Sequence, residues 1–138
     1  MPQKYHKYCR YELNEILPFI GEKTKKLIIP NSGKSHSVRL DPKRLLLILN
    51  NTKCKCCNLQ GTHFWLERNG RDPHLNFYGT NSNGHEVMLT ADHIIPKSKG
   101  GPHELYNMQL LCERCNQKKS DKIIPIDQLQ KKLQVGGL

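Results

Sequence analysis

Leu89-Thr-Ala-Asp92-His93-Ile-Ile-Pro96-Lys-Ser-Lys-Gly100-Gly101, followed after five residues by Asn107-Met-Gln-Leu-Leu111-Cys112-Glu-Arg-Cys115-Asn116-Gln-Lys118-Lys119, is the stretch that decides how this chain folds. Upstream of it, the alternating Leu75-Asn-Phe-Tyr78 and the turn cluster Gly79-Thr-Asn-Ser-Asn-Gly84 predict a β-hairpin whose second strand runs from about Glu86 to Ile94. Pro96 to Pro102, rich in Gly, Ser and Lys, predicts the loop that follows. Leu105 to Leu111 is expected to return as a strand, and Cys112 to about Lys122 to form a helix with a basic outer face that Pro125 breaks.

Two Cys-x-x-Cys pairs bracket this region, Cys54-Lys-Cys-Cys57 and Cys112-Glu-Arg-Cys115. That spacing lets both sulfurs of a tight turn face one ion, and four thiolates close a tetrahedral shell. With every position taken by protein, no water is left to be activated, so such a zinc would be structural and its binding energy would be folding energy. Cys56 is a competing ligand within the first pair, but the two-residue spacing prefers Cys57. Cys9, alone near the start, is read as a small buried apolar group.

Taken together, Asp92-His93-Ile-x-Pro96, Gly100-Gly101, the middle Asn107 and Cys112-x-x-Cys115-Asn116-x-x-Lys119 resemble the HNH endonuclease family, in the family's order and over about Cys54 to Asp121. The resemblance implies an α+β fold: a ββα-metal core stapled by a structural zinc site of four cysteines. It also implies a role for each residue, with His93 as general base, Asp92 and Asn116 as ligands of one catalytic divalent ion, and Asn107 orienting the histidine ring. Asn116 stands where many members have histidine; either side chain can ligate a metal.

The residues themselves suit that chemistry. Hydrolysis of a phosphodiester needs a base for water, a cation on the phosphate oxygens, and fixed geometry. Histidine titrates near working pH, Asp92 offers hard oxygen of the kind magnesium or manganese prefers, and Asn116 can add a neutral carbonyl oxygen. Successive strand residues face opposite ways, so Asp92 and His93 can serve one phosphate only where the strand twists or ends. Cys115 and Asn116, neighbours on a helix, diverge by about 100° and can face two different metals. Lys97, Lys99, Lys118 and Lys119 flank the site and are expected to hold DNA phosphates. The other histidines, His6, His36, His63, His74, His85 and His103, sit in no ligand spacing, and Phe64 and Trp65 are read as core.

Charge points the same way. Lys plus Arg outnumber Asp plus Glu by 22 to 12, a formal net charge of +10, which favours a polyanionic partner, DNA above all. No run is apolar enough for export or for a bilayer. The expected setting is therefore a reducing one, the cytoplasm of a bacterial cell with the gene bacterial or phage-borne, where the six cysteines are ligands before they are disulfides. A monomer or a homodimer would fit.

Residues 1–52 are expected to form a basic, mostly helical extension packed on the nuclease domain, 53–138. Leu13, Ile16, Leu17 and Ile20 have helical spacing, Leu27-Ile-Ile-Pro30 looks extended, and Asp41-Pro42 can open a helix over Lys43 to Leu49. The alternative to an endonuclease is a non-catalytic zinc-knuckle module that binds nucleic acid with His93 and Asn116 idle. A purely structural assembly protein would show no salt-dependent affinity for nucleic acid.

Overall fold

The computed structural model describes residues 5–68, 70 and 72–135. Its centre is a five-stranded antiparallel sheet in the order β1-β4-β5-β6-β7: β1 His6–Glu12, β4 Gly61–Arg68, β5 His74–Thr80, β6 Glu86–His93 and β7 Met108–Cys112. A separate hairpin pairs β2 Lys25–Ile29 with β3 Lys34–Val38. The helices are α1 Leu13–Ile16, α2 Lys43–Leu46, α3 Glu113–Lys119 and α4 Ile126–Val135. The fold is thus α+β, and β6, β7 and α3 supply the expected ββα unit.

The N-terminal extension is not mostly helical; it is rich in strand. His6–Glu12 is rich in aromatic residues, which suits a pleated edge strand. It pairs with β4, and the hydroxyl of its buried Tyr11 donates to the Ile28 carbonyl at 3.0 Å. The apolar periodicity of Leu13 to Ile20 is real, since Ile16 is fully buried, but Pro18 lacks an amide hydrogen and the α-helix ends after one turn, passing into a 3-10 turn over Leu17–Phe19. Lys43–Leu49 likewise divides into one α turn and one 3-10 turn. Asp41 does not cap it, because its carboxylate accepts from Arg39 at 3.0 and 3.2 Å.

Phe64, Leu66, Leu75, Phe77 and Leu89 of the sheet bury against Ile16, Leu40, Leu45 and Ile48 of the extension. The Phe64 and Phe77 rings lie 4.8 Å apart between centroids. Gly61 makes this approach possible: a Cβ there would fall 2.1 Å from the Phe77 ring. Beyond Pro125, where the sequence reading assigned no element, α4 buries Leu129 and Leu133, and Gln130 donates to the Cys56 carbonyl at 2.8 Å. Its signal was the i, i+3, i+7 spacing of Ile126, Leu129 and Leu133. Among the described residues no helix is long and apolar enough to cross a membrane.

Candidate metal centre and active site

The two knuckles meet. The sulfurs of Cys54, Cys57, Cys112 and Cys115 all lie within 4.8 Å of one another. Cys57 Sγ and Cys112 Sγ are 3.7 Å apart, far beyond a disulfide and close to the edge of a tetrahedron, about 3.8 Å, set by zinc–sulfur bonds of about 2.3 Å. Backbone amides of Cys57, Cys112 and Cys115 point at sulfur: the first two at Cys54 Sγ over 3.4 and 3.3 Å, the third at Cys112 Sγ over 3.5 Å. Such bonds favour thiolate. Hydrogen bonds from the Cys112 and Cys115 thiols draw the Cys54 thiol far below its ordinary range, while the same crowding pushes Cys115 up. Four sulfurs this close can all ionise only around a cation, so the donor set fits a metal such as zinc. Cys56 is buried and stands outside the tetrad.

Cys112 ends β7 and caps α3, its sulfur accepting from the Cys115 amide, so the metal site fixes where the helix starts. One residue on, Asn116 donates through Nδ2 to Thr90 Oγ1 at 2.9 Å, and Thr90 in turn donates to the Leu111 carbonyl at 2.9 Å. The amide carbonyl of Asn116 is left unspent among the described residues. Cys115 therefore faces the sulfur tetrad while Asn116 faces β6.

Strand β6 ends at His93, and Asp92 and His93 both reach a cleft of about 330 Å³ that Asn116, Lys97, Ser120 and Asp121 also line. Asp92 is buried, paired across the ladder with Gln109, whose side chain donates to Asp92 Oδ2 at 3.0 Å. Lys119 Nζ lies 3.2 Å from the same oxygen, and 3.0 Å from the His93 carbonyl. Lys119 is fully buried, so it is not the exposed phosphate ligand expected from the sequence; α3 turns it inward, one helical turn after Asn116. Lys97, Lys99 and Lys118 are exposed, and Lys99 donates to the Asp121 carbonyl.

His93 Nε2 stands 2.9 Å from His103 Nδ1. Burial, and next the like charge of Lys97 and of His103, lowers the pKa of His93 below its ordinary value. Asn107 does not touch the ring. Its Oδ1 accepts from the Ile95 amide at 2.9 Å, and its Nδ2 donates to the Ile95 and Pro102 carbonyls at 3.0 and 2.9 Å, spending its amide on the two ends of the loop. The paired glycines serve the same closure: Gly100 has φ +84°, and a Cβ on Gly101 would fall 1.7 Å from the Ile95 carbonyl oxygen.

Residues 81–122 match the model of the family described as HNH endonuclease. This segment matches an HNH endonuclease domain. The match spans the hairpin turn, β6, the Asn107-clamped loop, β7 and α3, and it suggests a nuclease-type function. No curated protein and no solved structure matches the chain.

Spacing gave no role to His103, Gln109 or Thr90. Gln109 and Thr90 were readable only once the β6–β7 register set them beside Asp92 and Asn116, and His103 only through loop closure. His63, fully buried, bonds Glu86, which also accepts from Trp65 Nε1 at 2.6 Å.

Proposed function

We propose that this protein is a divalent-metal-dependent endonuclease that hydrolyses DNA phosphodiester bonds. The observation that carries the reading is the convergence of Asp92, His93 and Asn116 on one cleft beside the cysteine tetrad. The Asp92 carboxylate and the Asn116 carbonyl oxygen suit a hard cation of the magnesium or manganese kind, with positions left for phosphate and water. When bound, that ion would neutralise charge on the phosphate oxygens and on the leaving oxygen. His93, whose pKa burial lowers, accepts the proton of the attacking water. Gln109 and Lys119 hold the Asp92 carboxylate in place, Thr90 aims Asn116, and Asn107 keeps the loop after His93 closed. Zinc held by Cys54, Cys57, Cys112 and Cys115 would have a structural role only, since four thiolates leave no open position. Lys97, exposed at the cleft, is available to hold the DNA backbone, and Lys118 is exposed on α3.

The second reading, a zinc-knuckle module that binds nucleic acid without cutting it, draws on one observation: the Lys119 ammonium already pairs with the carboxylate that would hold the ion. A carboxylate oxygen has two lone pairs, so ammonium and metal can share it. Incubation of supercoiled plasmid with the purified protein, with and without magnesium or manganese, separates the two. Metal-dependent nicking that His93→Ala abolishes, with zinc retained, is the expected result. DNA binding with no cleavage of duplex or single strands under any divalent ion would establish the binding module instead.

A further inference from the structure

Strands β5 and β6 are paired only from Thr80↔Glu86 to Phe77↔Leu89. Beyond that point they part. Residues 74–76 continue on β4 alone, and residues 90–93 continue on β7 alone. The split leaves a cavity of about 300 Å³ with Asn76 on one side and Thr90 on the other, the buried Ile48 and Met108 as inner wall, and His93 and His103 at the rim. It shares Ala91 and His93 with the catalytic cleft.

The chemistry of this slot is specific. Its volume lies at the small end of ligand pockets and is roomy enough for one planar heterocycle. Met88 and Met108 offer thioether sulfur, and the two histidine rings offer faces, both of which pack well on an aromatic base. No acidic side chain lines it, whereas Arg44 does. One nitrogen of that guanidinium caps the Leu75 carbonyl at 2.7 Å, on the strand that the split leaves without β6, which places a positively charged donor group at the slot. A lining with one guanidinium and no carboxylate suits a phosphodiester strand.

We infer that the slot receives the base of the nucleotide flanking the scissile phosphodiester, and that the substrate is single-stranded or locally unpaired DNA. This rests on the endonuclease reading above. A base cannot occupy a cavity between two strands of the protein and remain stacked and paired in a duplex, so duplex DNA would be cut only where a nucleotide can swing out.

The test uses the zinc-loaded full chain with manganese on three substrates. These are a single-stranded oligonucleotide, the same strand with one abasic residue, and bis(p-nitrophenyl) phosphate, an activated diester that reports hydrolysis itself. Wild-type cleavage at the bond flanking the abasic residue is expected to fall about tenfold relative to that bond in the intact strand, with bonds farther away unchanged. Met88→Trp, which fills the slot from a partly exposed position, is expected to cut the intact oligonucleotide about tenfold more slowly and so to lose the difference between the intact strand and the strand with the abasic residue, with its melting temperature kept. Equal cleavage beside the abasic residue by the wild type, or equal fold losses on the intact and the abasic strand for Met88→Trp, would overturn the slot while leaving the nuclease intact. Absence of hydrolysis of any substrate by the wild type would instead remove the endonuclease reading and the slot with it.

Discussion

His93 Nε2 and His103 Nδ1 face each other at 2.9 Å, their ring centroids 5.2 Å apart. The backbone of His103 is itself held from outside the HNH segment, because Lys43 of α2 donates to its carbonyl at 2.9 Å. If His103 Nδ1 accepts, His93 carries its proton on Nε2, and the base in the proposed reaction is its Nδ1. His103→Ala is expected to lower kcat about tenfold with melting temperature unchanged. His103→Gln, which can still accept a hydrogen bond, should restore part of the loss. An unchanged kcat in His103→Ala would remove the pairing from the mechanism.

The sulfur tetrad separates Cys57 from Cys56. Cys57→Ser is expected to lose bound zinc and to unfold at a lower temperature, whereas Cys56→Ser should keep one zinc per chain. Metal content by atomic emission, read beside a circular-dichroism melt, decides it. The opposite pattern would move the first knuckle by one residue.

Lys119 is the buried partner of Asp92, so its removal strands a carboxylate. Lys119→Met is expected to destabilise the fold by about 3 kcal/mol in urea titration without added divalent ion. Magnesium or manganese at Asp92 would replace the lost charge, so the variant should gain more stability from added ion than the wild type does. An equal gain in both would place the ion away from Asp92.

Asn107 makes three side-chain hydrogen bonds to the loop backbone. Asn107→Ala should cost about 3 kcal/mol, roughly one for each bond lost in a buried position. Hydrogen exchange should show the loss concentrated at the Ile95 amide. A loss spread evenly over the sheet would mean that the residue serves the core rather than the loop.

Glu86 gives the fold a pH dependence away from the site. Burial pushes its carboxyl up, but donors on Trp65, His63 and Lys7 together outweigh that and bring it down to about 2. A depressed carboxyl contributes stability that is present above its unfolded value, near 4.5, and is lost as pH falls through its folded value. The stability advantage of wild type over Glu86→Gln is therefore expected to be full at pH 6 and to shrink below about pH 4.5. The fluorescence of Trp65, the chain's single tryptophan, reports the same contact. An advantage that stays constant down to pH 3 would assign the stabilisation to uncharged packing.

Local pattern carried much of the site. The alternating run before Gly79, the turn cluster, the Gly-Gly loop and the two cysteine pairs each depend on neighbours within a few residues, and hairpin, loop, helix and tetrad stand where those neighbours indicate. The extension misled for a reason of the same kind. Leu13 to Ile20 has helical spacing, yet Pro18 cuts the helix to one turn, and the strand before it, with no clean alternation of buried and exposed residues, gains its stability by pairing with β4 rather than from its own pattern.

Read along the chain alone, the residues supply the chemical groups and the local geometry that presents them: an acid and a base at a strand end, an amide one residue past a cysteine knuckle, and glycines where a side chain would strike a carbonyl. Partnership across distance came only with the folded arrangement. Gln109 beside Asp92, Lys119 turned inward, His103 against His93 and the parting of β5 from β6 each depend on strand register or loop closure. Register and closure are settled by burying one shared core, and no single segment of the chain contains that term.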